Sequence, residues 1–248
     1  MTRALLVHSG GLSARQWRRL GEALAPTCEV IAPELLGYGG IAWPVGEPFH
    51  FRQDVDALAQ RLGAGESAHV VGHSYGGFLA LQLALAHPEC VRSLALYEPV
   101  AFGVLDGAAA ADVDARRALA GFAPYRAGPD PDEAWLASFV DWWNGPGAWA
   151  ALAEPVRASF RAVAWKLSEE VRSLVADRTP AATYATITVP TLLLGGMRSP
   201  AAEQRTLARL AAVMPRATLT MFPELGHMGP ITHAALVDAA IVAHIRAS

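Results

Sequence analysis

The chain of 248 residues is long enough for one large domain with a substantial core. Hydrophobic residues make up 52% of it and charged residues 17%, a balance that suits a globular protein whose sheet is covered on both faces. The net charge of −3 gives no electrostatic reason for a nucleic acid or an anionic membrane as partner.

The chain opens on "MTRALLVHSGG", whose apolar run from Ala4 to Val7 is too short for a signal-peptide core. No apolar stretch approaches the length of a bilayer span. Two cysteines, Cys28 and Cys90, are too few for a disulfide framework and read as small core residues in a reducing compartment. A soluble cytoplasmic protein is expected.

Short apolar runs alternate with longer helical patterns, the rhythm of a parallel α/β sheet. "ALLVH" (4–8) reads as a buried strand and "SARQWRRLGEALA" (13–25) as a helix with a serine at its start. "CEVIAPE" (28–34) is a second strand and "FRQDVDALAQRLG" (51–63) a second helix. "AHVVGHS" (68–74) is a third strand, followed by the helix "YGGFLALQLALAH" (75–87) and the strand "VRSLALYEP" (91–99). "VPTLLLGG" (189–196) and "ATLTMFPE" (217–224) are two more strands, each followed by a helix. The fold class is therefore α/β, a mostly parallel sheet of about six strands with helices on both faces. No internal repeat or low-complexity linker interrupts it.

The interval 101–185 breaks the rhythm, because it holds no convincing strand. Four of the seven tryptophans fall between Trp135 and Trp149, Trp165 follows, and turn signals stand at "GPDPD" (128–132) and "NGPG" (144–147). A helical insertion between two core segments, 1–100 and 186–248, is the simple reading. It would cap the carboxyl ends of the strands, where open α/β sheets bind ligands. Its aromatics are expected both to form a small core of their own and to reach the pocket, with Trp142 and Trp143 against the substrate.

"VVGHSYGG" fits G-x-S-x-G as Gly72-His73-Ser74-Tyr75-Gly76, between a predicted strand and a predicted helix. A sharp turn there exposes the serine hydroxyl above the sheet, and the helix N-terminus favours negative charge beside it. Ser74 is the candidate nucleophile. His73, between glycine and serine, is expected to pack sideways beneath the turn.

On these residues the chain resembles the α/β-hydrolase superfamily over nearly its whole length. "LLVHSGG" is similar to the family's H-G-x-x oxyanion loop, with Ser9 where glycine is usual. "IAPELLGYGG" is similar to its D-x-x-G-x-G turn, with Glu34 for aspartate, and "PELGHMGP" to the loop that presents the catalytic histidine. The strands that usually precede the oxyanion-loop strand are not in this sequence. The resemblance implies an oxyanion hole built from the backbone N–H groups of Gly10 and Tyr75, with His8 fixing the loop. Of eight histidines, His227 is the candidate base: it lies in a Gly-His loop after the last predicted strand, and it comes last in chain order as this fold requires.

The family's usual acid position falls at Ser199, and "LLLGGMRSP" carries no carboxylate. Ser199 reads as a helix N-cap with Pro200 at the first helical position, so its loss is expected to be nearly silent in catalysis. The candidate acid is Glu98. It ends the strand that follows the nucleophile strand, consecutive parallel strands are usually neighbours, and a lone charge in an apolar strand needs a partner. Pro99 is expected to hold Glu98 extended. Some haloalkane dehalogenases and lipases of the superfamily take the acid from this strand end. Asp106 and Glu203 are the reserves.

A Ser-His-Glu triad implies hydrolysis of a small or medium apolar ester through an acyl-enzyme, with no cofactor or metal. Carbon–carbon bond or lactone hydrolysis would use the same constellation, and a non-catalytic ligand-binding homologue is the rival from another class. "GGLSARQ" lacks the phosphate-loop lysine and the histidines lack metal-ligand spacing. Oligomeric state is not legible in the chain.

Overall fold

The computed structural model describes residues 1–41, 49–63, 65–106, 109–112, 115, 124–126 and 130–248. Gly128 and Pro129 of the "GPDPD" turn signal, and parts of the 101–185 interval, lie outside the described residues.

Six strands form one sheet: β1 (Thr2–Val7), β2 (Cys28–Ile31), β3 (Ala68–His73), β4 (Val91–Tyr97), β5 (Thr191–Gly196) and β6 (Ala217–Phe222). Their order is β2-β1-β3-β4-β5-β6, and every neighbouring pair is parallel. Ala4 to Val7 have no exposed surface, because helices cover both sides. The alternation of side chains along the strand divides them cleanly. Leu5 and Val7 join Val55, Leu58, Phe78, Leu207 and Leu210 on one face, while Ala4 and Leu6 join Leu20, Leu24, Val237 and Ile241 on the other. The first set brings in α2 (Phe51–Leu62), α3 (Tyr75–Ala86) and α8 (Ala201–Val213); the second brings in α1 (Arg18–Leu24) and α9 (Ala234–Ala247).

Most predicted ends are trimmed by a residue or two, and three boundaries differ in ways that bear on the fold. β1 starts at Thr2, where pairing with Cys28 already begins. β2 ends at Ile31 rather than Glu34: Pro33 has no N–H to offer a ladder, and Glu34 turns back to accept from the Ala14 N–H at 3.2 Å. The 13–25 helix begins as a 3₁₀ turn over Ala14–Trp17 and becomes α-helical at Arg18; Ser13 makes no side-chain cap bond.

From β1 the chain moves out to the edge strand β2 and returns to β3 on the other side of β1. The carboxyl ends of β1 and β3 therefore flank the point where strand order reverses, the place where such sheets bind ligands. Between β4 and β5, the helices α4 (Glu133–Asn144), α5 (Ala148–Ala151), α6 (Glu154–Ala162) and α7 (Ala164–Ala176) follow one another, with 3₁₀ turns at Phe102–Leu105 and Ala181–Thr186. Trp135, Leu136, Val140, Trp149, Phe160, Ala164 and Leu167 form a separate small core within them. Trp165 stays half exposed.

Candidate active site

Register places the site. His73 pairs with Tyr97, and Tyr97 with Leu194, so the carboxyl ends of β3, β4 and β5 lie side by side. Ser74 follows β3 at φ 56°, ψ −119°, a conformation that side chains other than glycine rarely adopt. The turn is over-determined by close packing. A Cβ on Gly72 would lie 2.4 Å from the Gly76 carbonyl oxygen, and one on Gly76 would lie 2.4 Å from the Val7 carbonyl oxygen. Only glycine lets helix, strand and the β1 loop approach this closely.

Ser74, His227 and Glu98 meet. His227 Nε2 is 2.9 Å from Ser74 Oγ, and His227 Nδ1 is 2.7 Å from Glu98 Oε2. All three side chains are buried, Glu98 completely. Nδ1–H donating to the carboxylate fixes the tautomer that leaves Nε2 free to accept the serine proton.

Glu98 and Ser199 require two corrections to the sequence reading. Glu98 has φ 46°, left-handed rather than extended. Pro99 favours extended backbone for the residue before it, and tertiary contacts override that preference here: the Glu98 N–H bond to the Leu194 carbonyl at 2.9 Å anchors the turn. Ser199 is not the helix cap: Pro200 holds that position, and Ser199 makes no cap bond. Its hydroxyl donates instead to Glu98 Oε1 at 2.6 Å, alongside the Gly196 N–H at 2.7 Å. One carboxylate oxygen thus has two fixed donors, and the other faces His227. The reserve Asp106 is exposed and pairs with Arg178 at 3.4 Å. Glu203 is fully buried and meets no hydrogen-bond partner among the described residues; burial, then the nearby Glu98, push its carboxyl well above the usual carboxylate range.

His73 packs beneath the turn with no exposed surface. Burial, then His227, hold its pKa well below the ordinary histidine value, so the ring stays neutral. Its Nδ1 accepts from the Gln16 amide at 2.9 Å, and its Nε2–H donates to the His227 carbonyl at 2.8 Å. Gln16 Oε1 in turn accepts from the Ser9 N–H at 3.0 Å. Gln16, which nothing in the sequence singled out, therefore joins the loop after β1 to the loop that carries His227.

Gly10 and Tyr75 line the same cavity as Ser74, and neither backbone N–H is engaged by a partner among the described residues. His8 fixes the loop that carries Gly10 by accepting from the Leu35 N–H at 3.1 Å through Nε2. A second buried cluster stands behind it. Lys166 Nζ lies 2.6 Å from Glu170 Oε1 and 3.0 Å from Asp54 Oδ2. The Tyr75 hydroxyl donates to Asp54 at 2.8 Å, and the Tyr38 hydroxyl donates to Glu170 at 3.1 Å while accepting from the Gly11 N–H at 3.0 Å. The cluster thus ties Tyr75 to the loop that carries Gly10. Lys166→Met would leave two buried carboxyl groups without their cation, so a loss of roughly 3–5 kcal/mol of stability is expected. Urea unfolding measures it; a loss below about 1 kcal/mol would show that the cluster relaxes into water.

The cavity has a volume of ≈ 480 Å³ and is mostly apolar. Trp142 and Trp143 both line it. Trp143 stacks on His227 with ring centres 3.6 Å apart and planes 17° apart, and Trp142 stands edge-on to Trp143. Among the described residues no group of three or more His, Cys, Asp or Glu side chains could hold a metal ion. No described helix is long and apolar enough to cross a membrane.

A family model described as "Alpha/beta hydrolase family" matches residues 4–240. The chain is 36% identical over 158 residues to lipase LipV of Mycobacterium tuberculosis, covering 62% of this chain and 54% of that protein. It is 36% identical over 100 residues to fluoroacetate dehalogenase of a Burkholderia species, covering 38% of this chain and 33% of that one. The chain thus spans about half the length of the first relative and a third of the second. A solved structure of a meta-cleavage product hydrolase from Pseudomonas fluorescens superposes with a TM-score of 0.70 over 99% of this chain and 91% of that one, at 21% identity, a likeness of fold.

Proposed function

The chain belongs to the alpha/beta hydrolase family, and from that premise we propose that it is a serine hydrolase that cleaves small or medium esters through an acyl-enzyme. The observation that carries this reading is the continuous hydrogen-bonded line from Ser74 Oγ through His227 to Glu98, 2.9 Å and 2.7 Å long in its two links. In this reading His227 takes the Ser74 proton as Oγ attacks the ester carbonyl. The N–H groups of Gly10 and Tyr75 hold the oxyanion, and His227 returns the proton to the leaving alkoxide. Water then enters by the same base. Glu98 keeps the imidazole in the competent tautomer and stabilises its protonated form. A nucleophile with a hydroxyl rather than a carboxylate argues against the dehalogenase chemistry named for one relative.

The helices of the 101–185 stretch act as a cap that supplies the apolar walls. The two tryptophans then divide in role. Trp142→Ala is expected to change chain-length preference among p-nitrophenyl esters while leaving acetate turnover within about threefold. Trp143→Ala is expected to lower turnover at every chain length by about tenfold, because its ring face backs the imidazole on which positive charge develops. Equal effects from both variants would leave the stack without a catalytic part.

A fluorophosphonate probe tests the function as a whole. Stoichiometric labelling at Ser74, with hydrolysis of short p-nitrophenyl esters, is the expected result. An unlabelled Ser74 in folded protein would favour a ligand-binding homologue instead.

A further inference from the structure

One face of α7 lines the cavity with Leu167, Glu170, Val171 and Leu174, the spacing of an apolar helical stripe. Glu170 interrupts that stripe, and it is the one carboxylic side chain among the described lining residues. It is 1% exposed. An ionisable group so placed is costly unless its acceptor capacity is used. Its known partners use only part of it: Lys166 on Oε1 at 2.6 Å and the Tyr38 hydroxyl on Oε2 at 3.1 Å. A carboxylate offers about four acceptor positions. Oε2 reaches the cavity wall at Gly10, where a Cβ would lie only 2.5 Å from it. A side chain at position 10 would collide with this oxygen.

We infer that Glu170 is a specificity-determining residue of the pocket, whose carboxyl group meets a hydrogen-bond donor, a hydroxyl or an ammonium group, carried by the substrate. The inference rests on the cavity being the hydrolase site proposed above. Burial pushes the Glu170 carboxyl up to about 7, against the attraction of Lys166. A hydroxyl both donates and accepts, so it suits the protonated and the ionised form alike. A substrate carboxylate meets repulsion from the ionised form. The preferred substrate is therefore a largely apolar ester with one hydroxyl or amine.

The test compares esters that differ only at the chain end. One arm uses p-nitrophenyl esters from butanoate to octanoate, each methyl-ended, ω-hydroxylated or ω-carboxylated. The other uses alkyl acetates and their ω-hydroxyalkyl counterparts, since the donor could sit on either side of the ester. At one chain length in one arm, kcat/KM for the hydroxylated ester should equal or exceed that of the methyl-ended one. Glu170→Leu should then lower the hydroxyl-to-methyl ratio about 10–100-fold, the loss expected when a buried polar partner is removed. Glu170→Gln, which keeps a carbonyl acceptor, should hold that ratio within about fivefold. A ratio unchanged in Glu170→Leu would overturn the inference. If that variant fails to fold, the wild-type ratio decides: hydroxylated esters at least tenfold poorer at every length in both arms would overturn it. If no ester is turned over at all, the hydrolase reading fails on its own. Binding of 1-hexanol, followed by quenching of the pocket tryptophans in wild type and in Glu170→Leu, then still tests Glu170: weaker binding in the variant is expected, and unchanged binding would overturn its role.

Discussion

Replacing Ser74 by alanine is expected to lower turnover of short p-nitrophenyl esters by about 10⁶-fold, the loss that follows removal of a serine nucleophile from an otherwise intact triad. The fold should survive. Ser74 already sits at φ 56°, and alanine bears that backbone strain no worse than serine does. The deleted hydroxyl makes one hydrogen bond, to His227, and His227 keeps its bond to Glu98. The melting temperature should therefore stay within a few degrees of wild type while activity vanishes. Activity retained in the folded variant would remove Ser74 as nucleophile, and with it the reading of the cavity as an acyl-transfer site.

Much of the architecture was legible in the sequence because buried parallel strands write themselves as short apolar runs. The runs at 68–74, 91–99 and 189–196 became β3, β4 and β5 with only their ends trimmed. Glu98 was legible through topology. A charge at the end of the strand after the nucleophile strand has to emerge next to the nucleophile turn, and Ser74 N–H indeed bonds to the carbonyl of Tyr97, the residue before it. Ser199 was misread because a serine before a proline and a helix has the same local pattern whether it caps or not. What decides is the carboxylate 101 positions earlier, and local pattern carries no record of that.

The cluster of Asp54, Lys166 and Glu170 was invisible for a similar reason. Each lies on a helix whose charges look like an ordinary solvated face, and their meeting joins α2 to α7 across 112 residues of chain. Gln16 escaped because glutamine near a helix start has no signature. Its use lies in offering a donor to His73 and an acceptor to Ser9 at once. The division between Trp142 and Trp143 follows from α4 turning by about 100° per residue, which sets adjacent side chains in different directions. Sequence could place both at the pocket, but not say which one backs the histidine.

Replacing Glu98 by glutamine should cost about 10⁴-fold in turnover, the loss seen when a triad carboxylate becomes an amide. The surrounding donors make the direction of the amide predictable. The Gly196 N–H and the Ser199 hydroxyl both donate to Oε1, so the amide oxygen must take that position. The NH₂ group is then left facing His227 Nδ1. A donor there requires Nδ1 to accept, which moves the ring proton to Nε2 and points it at Ser74 Oγ. His227 in that tautomer cannot take the serine proton. Ser199→Ala removes one of the two donors that enforce this orientation. Alone it should lower stability by about 1.5–3 kcal/mol, the worth of a hydrogen bond to a charged group, and lower turnover by less than about 100-fold, since the Gly196 N–H still holds Oε1. Combined with Glu98→Gln it should relieve part of the tautomer block, so the double variant should be faster than the product of the single losses predicts. Steady-state kinetics on p-nitrophenyl acetate across the four proteins measures the coupling. Strictly multiplicative losses would mean that Ser199 does not orient the group at position 98. Turnover in Glu98→Gln within tenfold of wild type would mean that His227 works without a carboxylate.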